Sequence, residues 1–193
     1  MFHADENGLI GSKGRIRLAI KTILLDCSQR NYMPNVPILF HDIDGVLFGH
    51  YAGEFQLRPG VKSWLAWAHE HFELIWLTSW ESERIHSLLR VLCCDKFGDN
   101  LESPPFHHAN WTNYENKVVW VQQAVQKLNG REWFWIDDEI EKFSLEIESA
   151  GIPLGRCIQS NPTGRDELLS IQSTLNHCLA NRNMNESDNE RAA

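Results

Sequence analysis

Asp42 and Asp44 stand two residues apart in the run Asp42-Ile43-Asp44-Gly45-Val46-Leu47, directly behind a nearly continuous apolar segment, 36–41. That segment reads as a strand buried on both faces. The two acids then fall just past its carboxyl end, where parallel sheets bind their ligands. A two-residue side-chain period puts both carboxylates on one side, and Gly45 lets the backbone turn sharply behind them. Carboxylates so placed can share a cation and divide covalent from proton-transfer work. A calcium loop fails on counting: with Asp42 and Asp44 at its third and fifth positions, Phe40 and Tyr51 fall where the first and twelfth ligands belong.

An Asp-Gly turn behind a strand is common on its own. What lifts this one is its company. Thr78 and Ser79 close a second apolar segment, 72–78, and Asp137-Asp138-Glu139 closes a third, 133–136. Adjacent acids behind an aromatic strand are costly unless solvated or metal-bound. Lys117 starts the helix that leads into that third strand. Strand ends carrying Asp-x-Asp, Thr and Asp-Asp, with one preceding Lys, converge on a single site.

In this order the residues resemble the four motifs of the haloacid dehalogenase (HAD) superfamily. Asp42 to Val46 is similar to the first, Thr78 to the second with Ser79 competing, Lys117 to the third with Lys127 as rival, and Asp137-Asp138 to the fourth. The resemblance covers about residues 36–160. Gln56-Leu57-Arg58-Pro59-Gly60-Val61 resembles phosphatases of the RNA polymerase C-terminal domain. Trp76-Leu77-Thr78-Ser79-Trp80-Glu81 and Trp135-Ile136-Asp137-Asp138-Glu139 look more like the HAD domains of RNA-repair and polynucleotide phosphatases, as does Pro162-Thr163-Gly164. His41 departs from the family, which usually carries an apolar residue there; alternation turns it away from Asp42, as a packed histidine.

The resemblance implies a magnesium-dependent phosphatase. Asp42 would attack phosphorus and Asp44 would act as general acid, then base. The ion would be held by Asp42, the Asp44 carbonyl and Asp138, with Asp137 adjacent. Thr78 or Ser79 would bind the phosphoryl group, Lys117 would balance charge, and Arg58 would meet a substrate phosphate or else cap local structure. The intervals Asp44 to Thr78 and Thr78 to Lys117 leave no room for a large cap. An open site suits a polynucleotide end or another large phosphoester. A phosphoprotein substrate is the alternative within the class, and an inactive HAD-like binding module the alternative outside it.

The elements that must position these residues alternate along the chain, as in an α/β, Rossmann-like three-layer sandwich with a mainly parallel central sheet. Helices are expected over 61–68, 81–94, 116–128 (ended by Asn129-Gly130) and 166–179, and a fourth strand over 152–158. Residues 95–114 read as irregular. The expected domains are an arm and basic amphipathic helix over 1–35, a catalytic domain over 36–181, and a disordered tail over 182–193. Six of the tryptophans fall on core positions of these elements. Trp80, Phe106, Trp111 and Tyr114 fall in loops, either pinned or free to stack on bases.

The chain has 193 residues and a formal net charge of −8, which argues against a general nucleic-acid binder. Hydrophobic residues at 42% suffice for a core. Cys27, Cys93, Cys94, Cys157 and Cys178 form no CxxC pair and read as reduced thiols. With no signal-like or membrane-spanning apolar run, the expected place is the cytoplasm. His107-His108 has no metal-ligand spacing to other Cys or His residues.

Overall fold

The computed structural model describes residues 36–97 and 107–192. The expected arm and helix of 1–35, with Cys27, lie outside the described residues, as do Pro104, Pro105 and Phe106. Among the described residues no helix is long and apolar enough to cross a membrane.

The apolar runs become strands whose residues are buried on both sides. The elements in chain order are β1 (Ile38–His41), β2 (Phe48–Tyr51), β3 (Glu54–Leu57), α1 (Val61–His71), β4 (Glu73–Trp76), α2 (Ser82–Phe97) and β5 (His107–His108). They continue as α3 (Lys117–Val125), β6 (Trp133–Asp137), α4 (Ser144–Ser149), β7 (Cys157–Gln159) and α5 (Glu167–Ala192). Five strands form one parallel sheet in the order β5-β4-β1-β6-β7. Chain order reverses at β1, the central strand, which creates a crevice at its carboxyl end.

Alternation along the strands feeds two cores. Leu39, Leu74, Trp76, Phe134 and Ile136 pack against α1, α2 and α5. Ile38, Phe40, Ile75, Trp133 and Trp135 pack against α3 and α4. The protein is therefore mixed α/β, a parallel sheet with helices on both faces, an arrangement compatible with a Rossmann-like fold.

Several elements differ from expectation. β2 and β3 pair as an antiparallel hairpin. Ala52 at φ 54 and Gly53 at φ 85 make its two-residue turn, and Ala is a poor signal for a left-handed position. β5 and a short 3-10 turn at Trp111–Asn113 interrupt the stretch read as irregular. Helix α3 ends at Val125, and Asn129 at φ 51 and Gly130 at φ 82 complete the reversal. Helix α5 runs to Ala192 and so includes 182–192, part of the segment whose composition reads as a disordered tail. A helix anchored by its first turns needs only one bond per added residue to propagate.

His41 is fully buried, as a packed histidine, between the rings of Trp64 (5.7 Å) and Trp76 (5.1 Å). Its Nε2 accepts from Trp64 Nε1 at 2.9 Å, and its Nδ1 faces the Asp42 carbonyl. An acceptor at Nε2 fixes the neutral tautomer with the proton on Nδ1. A second proton would meet the indole N–H, and burial lowers the imidazole from 6.5 to about 4. His41 binds its proton less tightly folded than unfolded, so its contribution is whole above 6.5 and is lost as pH falls toward 4. Wild-type protein should lose about 2 kcal/mol through this group between pH 7 and pH 5. His41→Phe should start less stable and show a correspondingly shallower acid slope in urea denaturation. Equal slopes would refute the assignment.

Candidate active site

Strand β1 ends at His41, and the chain then leaves the sheet. The Ile43 carbonyl accepts the amides of Val46, Leu47 and Phe48, so Asp44 sits in a turn. The two-residue period that was to align Asp44 with Asp42 stops at the strand end. The two carboxylates consequently enter different surroundings.

Asp42 is buried at 5% exposure. Its Oδ1 accepts the Ile43 amide at 2.7 Å and its Oδ2 accepts Lys117 Nζ at 2.5 Å. Lys117, 6% exposed, also donates to Asp137 Oδ2 at 2.7 Å. Asp137 is fully buried and takes the Glu139 amide on Oδ1 (3.0 Å) and Trp135 Nε1 on Oδ2 (3.3 Å). Asn116 caps α3 by accepting the Val119 amide at 3.0 Å, which makes Lys117 the first helical residue. A cation there opposes the helix dipole, and the two carboxylates offset that cost. Lys127, the rival, lies exposed in the turn beyond the far end of α3.

Burial, then the Asp137 charge, push Asp42 up to about 7, while Lys117 and the Ile43 amide pull it down. Burial alone would lower Lys117, but Asp42 and Asp137 outweigh it and hold the ammonium above its ordinary range. Half-buried Asp138 is raised by burial and by Asp137.

Asp42, Asp137 and Asp138 each offer an oxygen within 4.8 Å of the others. The approach of Asp138 depends on Gly45: at φ +69, a Cβ there would lie 2.1 Å from Asp138 Cγ. An all-oxygen set suits a hard divalent cation, and one ammonium does not neutralise three carboxylates. The Asp44 carboxylate is outside this group; its Oδ2 accepts Trp80 Nε1 at 2.9 Å.

Thr78 is buried, and its Oγ1 accepts the Trp80 amide at 3.4 Å. Ser79 is exposed beside it. Both line a groove of about 250 Å³, with Trp80, Ser82, His108 and Asn110 also in its wall.

Arg58 is 2% exposed, too deep to present its charge at the surface. Its Nε donates to the Val46 carbonyl at 2.8 Å, and its Nη2 to the carbonyls of Gly45 (2.9 Å) and Asn161 (2.8 Å). Ser160 Oγ reaches the same Gly45 carbonyl at 2.8 Å. Of the two roles expected for Arg58, this geometry supplies the local one: the guanidinium brackets the loop behind Asp44.

Sequence reasoning missed the Trp80 and Ser160 contacts. Trp80 was visible as a loop aromatic, but at 8% exposure, with Arg84 3.7 Å over its ring, it is pinned and no platform for a base. His107 and His108 diverge: one approaches Glu73 at 3.8 Å, the other meets Ser82 Oγ at 3.0 Å. Cys157 and Cys178 are free and half-buried, and burial pushes the Cys157 thiol up to about 12. The side chains of Cys93 and Cys94 lie outside the described residues.

Lys117→Met leaves two buried carboxylates without their counter-charge. It should cost about 3–5 kcal/mol in chemical denaturation at pH 8. Part of that loss should return at pH 5, where Asp42 can take up a proton. A cost under about 1 kcal/mol at pH 8 would show that the ion pairs do not hold the site together.

No family model, curated protein or solved structure matches the chain.

Proposed function

We propose that the chain is a capless HAD-superfamily enzyme, a magnesium-dependent phosphomonoesterase with Asp42 as nucleophile. The observation that carries this reading is the split between two carboxylates two residues apart. Asp42 is buried against Lys117 and two further acids, whereas Asp44 stands apart in a turn, held by an indole N–H. Paired titratable groups in opposed environments are how one site runs nucleophilic and acid–base chemistry together.

Asp42 attacks phosphorus and the ester P–O bond breaks, giving an aspartyl-phosphate. Asp44 gives its proton to the departing oxygen and later takes one from the water that hydrolyses the intermediate. Lys117 offsets charge between the nucleophile and the incoming phosphate. Thr78 or Ser79 donates to the phosphoryl oxygens. Asp42, Asp138 and the Asp44 carbonyl would hold magnesium, with Asp137 anchoring Lys117 beside them. The ion supplies charge neutralisation for phosphoryl transfer.

Half-buried Asp138 and exposed Ser79 favour an open site, hence a phosphate on a large ester such as a polynucleotide end. Wild-type protein should hydrolyse p-nitrophenyl phosphate only with magnesium, and Asp42→Asn should lose roughly 10⁴-fold or more in kcat. Indifference to both changes would sink the reading and favour an inert binding module. Among physiological candidates, 3′- and 5′-phosphorylated oligonucleotides should outperform phosphopeptides in kcat/KM; the reverse order would identify a phosphoprotein phosphatase.

A further inference from the structure

The Trp80 indole N–H is spent on a carboxylate of the first motif, and nothing in the phosphatase reading requires it. We propose that Trp80 is a positioning residue, holding Asp44 in the orientation from which it protonates the leaving group. The inference rests on the phosphatase reading and extends it.

Asp44 is half-buried in a turn, where an unrestrained carboxylate samples several rotamers. The indole nitrogen is a donor only, so its 2.9 Å bond to Oδ2 restrains the group and leaves Oδ1 for proton transfer. The indole is itself fixed. Its ring is 8% exposed, lies 5.5 Å from Phe48 of the hairpin, and carries the Arg84 guanidinium at 3.7 Å. Its amide donates to Thr78 Oγ1 at 3.4 Å. One side chain thus ties the turn behind β1 to the loop behind β4 and to the hairpin.

In the assisted step the ester P–O bond breaks, and its electron pair goes to the leaving oxygen. The proton leaves Asp44 for that oxygen, and the resulting carboxylate stays bonded to Trp80. Such assistance matters when the departing oxygen is strongly basic, as in an alkyl phosphate, and little when it is a nitrophenolate. A residue that merely supports the fold has no such preference.

The test compares wild type with Trp80→Phe and with a variant carrying benzothienylalanine at position 80, which keeps the bicyclic shape and lacks the N–H. Each is assayed on an alkyl phosphate and on p-nitrophenyl phosphate with magnesium. The ratio of alkyl to aryl kcat/KM, which reports the step in which the leaving group departs, should fall by roughly tenfold or more in both variants, and Asp44→Asn should shift it further the same way. If both substrates lose kcat/KM equally, or neither does, in the isosteric variant, the positioning role is wrong while the phosphatase reading stands. An inactive wild type removes that reading and this inference with it.

Discussion

The site is organised around one buried ammonium. Lys117 Nζ lies 2.5 Å from Asp42 and 2.7 Å from Asp137, and those carboxylates end the adjacent strands β1 and β6. Neither acid is tolerable in that place without a counter-charge, and the cation is ill-placed at a helix start without the acids. Each member makes the others affordable. The pairing also sets geometry: α3 must begin where its Asn116 cap puts Lys117 over the sheet, and β1 and β6 must end level. Three carboxylates against one ammonium leave the crevice negative, which is the electrostatic argument for a cation there.

Around this centre a second set of contacts fixes the loop behind Asp42. Arg58 and Ser160 converge on the Gly45 carbonyl, and Arg58 reaches on to Val46 and Asn161. A buried guanidinium with several donors in a rigid fork can hold separate carbonyls at once, which lysine cannot. Gly49 shows how close the bracket runs: a Cβ there would lie 2.7 Å from the Arg58 guanidinium carbon. The loop is thus clamped through its backbone carbonyls, while the Asp44 carboxylate turns to Trp80.

Much of this was legible in sequence for a physical reason. Strands buried on both faces must be continuously apolar, so β1, β4 and β6 announce themselves, and polar residues right behind them have few places to go. The acids at 42 and 137 and Thr78 stand out that way, whereas Lys117 stands out as the start of the helix that leads into β6. Illegible features were those whose signal is tertiary. Arg58 looks like any exposed base until three carbonyls are folded around it. The hairpin turn uses Ala52 where Asn or Gly would have declared it. A two-residue strand such as β5 has no period to detect.

The Asp42–Asp44 spacing shows where sequence logic succeeds for an incomplete reason. Side-chain alternation was to place both acids on one side, yet alternation ends at His41, and a turn centred on the Ile43 carbonyl follows. The pair therefore diverges: Asp42 is drawn under Lys117, and Asp44 is turned to Trp80. Two carboxylates in one strand face would share a field and repel. Two carboxylates on either side of a strand end can be given separate partners, Lys117 for one and Trp80 for the other. The division of labour proposed for this site is therefore a property of where β1 stops. His41, with Nε2 committed to Trp64 and Nδ1 facing the Asp42 carbonyl, is the residue placed at that stop.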